Sequence, residues 1–184
     1  MRFVTYRKTD TEPRLGLLHG GLVIDVEYFG DAIGNDLPST MLDFIDLGPI
    51  AVRFLKDAVA TATAADLVGT SLPTGNVALL APIPRPRKNI FGIGLNYTEH
   101  VAESARSLDT SLDLPQQPVI FSKPPTAVVA WNDPIRHNAK VTQQLDWETE
   151  LAVIIGSVYG YADVYLEGER IAVRNQETNL GNIT

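Results

Sequence analysis

The apolar run Leu151–Ile155 constrains the fold of this chain more than any other segment. It is short, rich in β-branched residues and closed by Gly156, and it therefore predicts a buried β-strand. Glu148 and Glu150 lie two positions apart at its entrance, and side chains two apart in a strand point to the same face. Two such carboxylates repel each other unless a cation lies between them, and oxygen ligands suit Mg²⁺, Mn²⁺ or Ca²⁺. The alternative is a solvated strand entrance with two exposed acids.

The composition restricts the classes of function. Of the 184 residues, 45% are hydrophobic and 20% are charged, which is typical of a globular protein. The net charge is −7 and there is no Lys/Arg block, so we expect neither nucleic acid nor a membrane as a partner. Cysteine is absent, which excludes disulfides, thiolate metal sites and a Cys nucleophile. The sequence shows no apolar leader and no run long enough to span a bilayer, so we expect a cytoplasmic location.

Residues 1–75 predict a small N-terminal α+β domain. Two apolar runs flank His19-Gly20-Gly21 as in a β-hairpin, and capping residues mark the starts of two helices. The predicted elements are, in chain order, a strand at 2–6, hairpin strands at 15–18 and 22–26, a helix capped by Ser39 or Thr40 that ends at Leu47, a helix that begins at Pro49 and ends before Gly69, and a short strand at 77–80.

A Pro-rich segment follows this domain. Residues 81–88 read Ala-Pro-Ile-Pro-Arg-Pro-Arg-Lys, and each proline disfavours helix in the residue before it. We therefore place an extended connector at 76–88 and a second domain at 89–184.

A candidate general base follows the strand predicted at Ile90–Leu95. Asn96 can cap a helix in which His100 and Glu103 lie three positions apart on one face. A carboxylate that holds a histidine in one tautomer makes the imidazole a better general base. The alternative is an exposed His–Glu pair of little energetic value.

Two further features accompany the predicted strands of the second domain. Gly92-x-Gly94 lacks the third glycine of a nucleotide-binding loop, so the pair indicates close backbone approach instead. Lys123 follows a strand predicted at Val119–Phe121 and precedes two prolines that fix the backbone. Its ammonium group can bind a substrate carboxylate or extend into solvent, and both interpretations stay open.

Taken together, the chain resembles the fumarylacetoacetate hydrolase (FAH) family. The resemblance covers most of residues 1–156 and rests on the order and spacing of five motifs. These are Arg-Leu-Gly-Leu-Leu at 14–18, the Pro-rich connector, Gly94-Leu-Asn-Tyr-x-x-His-x-x-Glu103, Pro118-x-x-Phe-x-Lys-Pro124 and Asp146-Trp-Glu-x-Glu-Leu-Ala-Val-Ile-Ile-Gly156.

The resemblance implies an α+β protein whose second domain is a mainly β, FAH-like rolled sheet with a catalytic site. Family members hydrolyse, decarboxylate or isomerise 2-oxo and 2,4-dioxo acids. A C–C bond hydrolase or decarboxylase is therefore expected, with a small 2-oxo acid as substrate, a link to aromatic catabolism and a homodimer as the assembly. By this likeness Glu148 and Glu150 bind Mg²⁺ or Mn²⁺, with Ca²⁺ as an alternative. His100 and Glu103 form the base dyad, and Lys123 lies on the substrate side.

Residues 157–184 depart from the family pattern. The family continues after Gly156 and supplies a third metal carboxylate from an Asn-Asp motif, which the surroundings of Asp163 do not match. We therefore expect an incomplete catalytic domain with an atypical tail at 157–184. The alternative function is a catalytically inactive relative that acts as a binding or oligomer subunit.

Overall fold

The computed structural model describes residues 1–95, 98, 101, 116–130, 132–146, 149–155, 162–166 and 169–173. The chain divides into two compact units, one formed by residues 1–82 with 134–184 and the other by residues 83–133. The helices and antiparallel strands of these ranges confirm the predicted α+β class. None of the helices in the described ranges has the length and hydrophobicity needed to cross a membrane.

Residues 1–82 contain five strands and four helices. In chain order they are β1 (Phe3–Arg7), β2 (Arg14–His19), β3 (Leu22–Asp25), α1 (Val26–Ala32), α2 (Met41–Asp46), α3 (Gly48–Thr61), α4 (Ala64–Leu67), β4 (Ser71–Pro73) and β5 (Ala78–Leu79). The strands form one antiparallel sheet in the order β4-β3-β2-β1-β5. The strand at 2–6 and the hairpin are thus confirmed, within a residue or two at their ends.

Two glycines build the β2–β3 hairpin. His19 pairs with Leu22, so Gly20 and Gly21 form a two-residue turn. Their φ angles are 54° and 82°, the left-handed values that such a turn requires at both central positions. Residues with a side chain adopt these values at a steric cost, which explains why glycine stands at both positions.

The apolar core lies between one face of this sheet and the helices. Leu15, Leu17 and Ile24 on the sheet are at most 2% exposed and pack against Phe29 of α1 and Leu55 of α3. Full burial of each such side chain stabilises the fold by roughly 1.5–3 kcal/mol. The aligned apolar positions of the hairpin therefore fix both its register and the face that the helices cover.

The opposite face of the same sheet carries a buried ionic cluster. The strand register places Tyr6 opposite Arg14 and Gly16 opposite Asp25, so these four residues share one face. Gly16 leaves room for the cluster, because a Cβ there would lie 2.9 Å from Cδ1 of Tyr6 and would overlap Val23.

Asp25 is the centre of this cluster, and its side chain is only 4% exposed. Its carboxylate accepts hydrogen bonds from Nε and Nη2 of Arg14 at 2.6 and 2.9 Å and from the Tyr6 hydroxyl at 2.5 Å. It also caps α1 by accepting the backbone N–H of Tyr28 at 3.0 Å. Burial alone would raise the pKa of Asp25, but the hydrogen bonds from Arg14, Tyr28 and Tyr6 outweigh burial and lower it.

The secondary structure of residues 1–82 agrees with the sequence patterns except at three places. Thr40 caps α2 as predicted, and Pro49 lies in the first turn of α3. The helix predicted up to Gly69 ends instead at Thr61, because Thr63 and Asp66 form a capping box that starts α4. α1 and β4, which are only seven and three residues long, were not predicted from the sequence.

The described residues of the unit at 83–133 form an antiparallel ladder from β6 (Ile90–Gly94) and β7 (Val119–Lys123). Both strands were predicted from the sequence. Two further strands, β8 (Ala162–Leu166) and β9 (Glu169–Val173), pair in the tail, where no strand was predicted.

The prediction of a buried strand at Leu151–Ile155 is wrong. The segment has no strand conformation, and Leu151, Val153 and Ile155 are 92%, 80% and 82% exposed. A β-branched run forms a strand only where another strand accepts and donates its backbone hydrogen bonds. No strand in the described residues pairs with this run, so no inter-strand hydrogen bonds from them stabilise its preference for extended backbone.

We predict that Asp25→Asn destabilises the N-terminal sheet by about 2 kcal/mol, because it removes the buried charge that accepts hydrogen bonds from Arg14 and leaves Arg14 with Glu27, at 2.6 Å, as its carboxylate partner. The folded pKa of Asp25 lies below its ordinary value of 3.8. Its ionised form therefore contributes stability above pH 3.8, and this contribution is lost as the pH falls through the folded value. Urea titrations of both proteins at several pH values from 7 downward should show the difference shrinking at acidic pH.

Asp31→Asn is the matched control, because Asp31 is an exposed aspartate on the same helix. We expect it to change the free energy of unfolding by less than about 0.5 kcal/mol. Equal destabilisation by the two substitutions would contradict the role given to the Asp25 cluster.

A second prediction concerns where the N-terminal domain ends. β5 pairs with β1, Leu80 donates its N–H to the Thr5 carbonyl at 2.8 Å, and the Thr5 hydroxyl bonds the Pro82 carbonyl at 2.5 Å. A chain of residues 1–82 should therefore unfold at a higher temperature than one of residues 1–75, which lacks these bonds. Thermal unfolding followed by circular dichroism measures the two unfolding temperatures. Equal midpoints would place the end of the folded domain at residue 75.

Candidate functional site

The structure describes two of the five residues that the sequence singled out. Lys123 lies at the end of β7, and Glu150 lies in the segment before Leu151. His100, Glu103 and Glu148 lie outside the described residues. The geometry of the base dyad and of the Glu148–Glu150 pair therefore stays a prediction.

The β6–β7 ladder presents two chemically different faces. Cross-strand partners share a face, so one face carries the pairs Ile90–Lys123, Gly92–Phe121 and Gly94–Val119. The other face carries Phe91, Ile93, Ile120 and Ser122, of which Phe91 is 70% exposed. Lys123 thus stands on the face where β6 contributes Ile90 and two glycines.

Phe121 occupies the space that these glycines leave. A Cβ on Gly92 would overlap the Phe121 ring, with 2.7 Å to Cε2 and 2.8 Å to Cε1. At Gly94 the same construction gives only ordinary contacts, of which the shortest is 3.6 Å to Val119. Close backbone approach was therefore predicted correctly for Gly92, and the group that approaches is an aromatic ring.

The Lys123 ammonium lies over this ring, with Nζ 5.6 Å from the Phe121 ring centroid. That distance is within the range of a cation–π interaction. Sequence reasoning identified the lysine but missed the ring beneath it. The signal was present, since Phe121 and Lys123 are two apart in a strand and so share a face.

Positive charge gathers at the same end of the ladder. Arg85, Arg87 and Lys88 precede β6 and are exposed, and Lys123 pairs with Ile90, the first residue of β6. Arg87 also makes an interaction of its own. This end of the ladder is therefore suited to an anionic group such as a carboxylate.

The other end of β6 leads toward His100. Leu95 has a φ of 54°, a left-handed value that is uncommon for a residue with a side chain. Thr98 and Val101 are helical, and Val101 is 4% exposed. Leu95 thus follows the end of β6, and the helical conformation of Thr98 and Val101 agrees with the helix predicted after Asn96, while His100 lies outside the described residues.

Glu150 is exposed and lies outside regular secondary structure. Within the part of the chain that the structure describes, no three His, Cys, Asp or Glu side chains come together as a metal site. The donor type nevertheless fits a hard cation, because a carboxylate offers two oxygens of the kind that Mg²⁺ and Mn²⁺ bind. Glu150, with Glu148 beyond the described residues, is the donor set that could hold the metal.

Comparison with known families gives a direct match for the second domain. Residues 89–164 match the family model described as fumarylacetoacetate (FAA) hydrolase C-terminal. The match begins one residue before β6 and ends within β8, eight residues beyond the Gly156 at which the family pattern was expected to end.

Individual relatives extend the similarity to the N-terminal residues. The chain is 36% identical over 159 residues to the oxaloacetate tautomerase fahd2 of Xenopus laevis, named as mitochondrial, a match that covers 85% of this chain and 44% of that protein. It is 45% identical over 80 residues to the oxaloacetate tautomerase YisK of Bacillus subtilis, covering 44% of this chain and 25% of that protein. The chain therefore spans less than half the length of these curated relatives.

A solved structure supports the fold. A crystal structure described as an HpcE protein from Mycobacterium smegmatis superposes with a TM-score of 0.52 at 24% identity, and the match covers 76% of this chain and 41% of that one. At this identity the likeness concerns the fold alone. The family match, the relatives and the ordered motifs agree, and the chain belongs to the fumarylacetoacetate hydrolase family.

Proposed function

We propose that this chain carries part of a site that forms the enolate of a 2-oxo acid, and that its reaction is the tautomerisation of oxaloacetate. The observation that carries the proposal is the name shared by the relatives, since both the amphibian and the bacterial protein are oxaloacetate tautomerases. The described residues support an anionic substrate, because Lys123 and the exposed basic residues before β6 lie at one end of the ladder.

The proposed reaction moves one proton. A base takes a proton from the carbon next to the ketone, and the C–H electrons form a C=C bond while the carbonyl electrons move to oxygen. Protonation of that oxygen gives the enol, and the reverse sequence gives the ketone. His100, held by Glu103, is the proposed base, and proton transfer of this kind contributes roughly 10²–10⁴ in rate.

Lys123 is proposed to bind a carboxylate of the substrate. Its ammonium is a compact point charge with three donors, which suits a carboxylate. Pro124 and Pro125 follow directly, and Pro125 begins a short helical turn that ends at Ala127. The backbone at Lys123 is therefore held on both sides.

Glu148 and Glu150 are the residues that would hold Mg²⁺ or Mn²⁺. When bound, the metal would supply a positive charge that stabilises the enolate oxygen. The role of the two carboxylates would be to hold the cation beside the substrate.

Hydrolysis or decarboxylation is the second candidate, favoured by the family model, which is named for a hydrolase. Cleavage of a C–C bond next to the enolate places electrons in the same carbon–oxygen unit. It differs in needing either an attacking water, which His100 would deprotonate, or a carboxylate that leaves as carbon dioxide. Both reactions would use the residues named above.

The remaining proposals concern assembly and location. We propose a homodimer as the working form, a cytoplasmic location, and a domain division in which 1–75 precede a connector at 76–88 and a catalytic domain at 89–184. The compact unit of residues 83–133 begins inside that connector, whereas residues 134–184 are grouped with residues 1–82. The relative from Xenopus laevis is named as mitochondrial, so fractionation of cells that express this chain is the test of location.

The metal proposal is tested with Glu150→Gln, which keeps the size of the side chain and removes its charge. Titration calorimetry with Mn²⁺ should show an affinity lower by more than roughly 10- to 100-fold, the loss that follows when only a hydrogen-bonding partner of a metal ligand is removed. Glu12→Gln removes an exposed carboxylate from the N-terminal domain and serves as the control. Unchanged Mn²⁺ affinity in Glu150→Gln would remove this residue from the metal site.

The reaction is tested by following the absorbance of enol oxaloacetate as it converts to the ketone, with Mg²⁺ or Mn²⁺ present. We expect a rate above the uncatalysed one, a fall in kcat of about 10²–10⁴ in His100→Ala, and a higher KM in Lys123→Met. Lys56→Met, at an exposed lysine of α3, should leave both constants unchanged.

Acetylpyruvate, with release of pyruvate as the readout, distinguishes hydrolysis from tautomerisation. Turnover of acetylpyruvate without tautomerisation would favour the hydrolase. No turnover of either substrate by correctly folded protein would favour the inactive relative.

A further inference from the structure

We propose that Phe121 is a positioning residue for the Lys123 ammonium, and that Gly92 is required because it admits the Phe121 ring. The inference rests on the proposed function, in which Lys123 binds the substrate carboxylate. It adds two residues that act through Lys123 without touching the reacting atoms.

The Phe121 ring packs on the backbone of β6 at Gly92. Gly92 and Phe121 are direct cross-strand partners, so their Cα–Cβ directions point to the same face. Since Gly92 has no Cβ, the Phe121 ring lies across its backbone in space that any other residue would fill. An aromatic ring laid over a cross-strand glycine is a known way of covering exposed sheet backbone.

The same Phe121 ring lies beneath the Lys123 ammonium. Lys123 lies two residues after Phe121 on the same face, and its Nζ stands 5.6 Å from the ring centroid. A free lysine side chain samples many rotamers, and ordering it for binding costs entropy. A ring under the ammonium favours the subset of rotamers in which the charge already lies over the ladder.

The exposure of the residues argues against a purely apolar role for Phe121. Its side chain is 39% exposed, so a substantial part of the ring faces solvent on the Lys123 side of the ladder. Phe91, on the opposite face, is also exposed, and no lysine is placed two residues from it in the strand. The two phenylalanines therefore differ in their charged neighbour, which makes Phe91 the matched control.

The contact itself is tested by NMR, independently of any enzyme activity. The chain has five lysines, which reductive methylation labels with ¹³C-methyl groups that retain the positive charge. We expect the Lys123 signal, assigned by its absence in Lys123→Arg, to be shifted upfield by the ring current of Phe121. The shift should vanish in Phe121→Leu and persist in Phe121→Trp and Phe91→Leu.

The role of Gly92 is tested with a pair of glycine variants. Gly92→Ala should displace the ring and abolish the upfield shift, although it changes neither Phe121 nor Lys123. Gly94→Ala should leave the shift in place, because a Cβ there makes only ordinary contacts. This pair keeps the inference testable even if Phe121→Leu fails to fold. A Lys123 signal without an upfield shift, or one unchanged in Gly92→Ala, would overturn the proposal.

Kinetics then test whether the contact serves binding. Phe121→Leu should raise KM for the 2-oxo acid roughly two- to fivefold with kcat nearly unchanged, as expected from an exposed cation–π contact. Phe121→Trp should restore KM, and Phe91→Leu should not change it. An altered kcat with constant KM would overturn the positioning role. If the folded protein showed no turnover, the proposed function would be contradicted. The NMR result would still show whether Phe121 contacts the Lys123 ammonium.

Discussion

Pairing of backbone N–H and C=O groups between strands is the constraint on which the rest of this structure depends. A β-branched segment has a preference for extended backbone, but the preference is worth little until a neighbouring strand completes its hydrogen bonds. In residues 1–82 every strand has a partner, one face of the sheet is covered by helices, and Leu15, Leu17 and Ile24 are buried as a result. Leu151–Ile155 has a similar composition without a described partner and is exposed.

The same constraint decides how well the fold could be predicted. The β2–β3 hairpin was predictable because its turn needs two left-handed residues and the sequence offers two glycines at that point. β6 and β7 were predictable as strands, but the residue pattern of each strand does not indicate that they pair with each other in this register. The strand predicted at Leu151–Ile155 failed for that reason, since its signal was local and its requirement is tertiary. α1 was missed because its cap, Asp25, is also the last residue of β3.

The candidate site shows a similar division between residue type and arrangement. Lys123 and Glu150 could be selected from the sequence because few residue types bind carboxylates and metal ions. The i, i+2 spacing places Phe121 on the face of Lys123, but phenylalanine in a strand is ordinarily an apolar contact. The glycine that admits the ring emerges only from the register, which places Phe121 opposite Gly92 rather than opposite Phe91 or Ile93.

Glycine therefore has three separate uses in this chain, and the contrast between them is informative. Gly20 supplies a left-handed turn, Gly16 leaves space for the Tyr6–Asp25 cluster, and Gly92 leaves space for an exposed ring that carries a cation. In the second case the space is filled by a buried ion pair whose strength comes from exclusion of water. In the third case the ring and its lysine face solvent, so the contact is weak and its value lies in orientation. Gly92 acts on the Lys123 cation indirectly, by making room for the Phe121 ring. Composition and periodicity do not identify a glycine with this role, whereas the cross-strand register does.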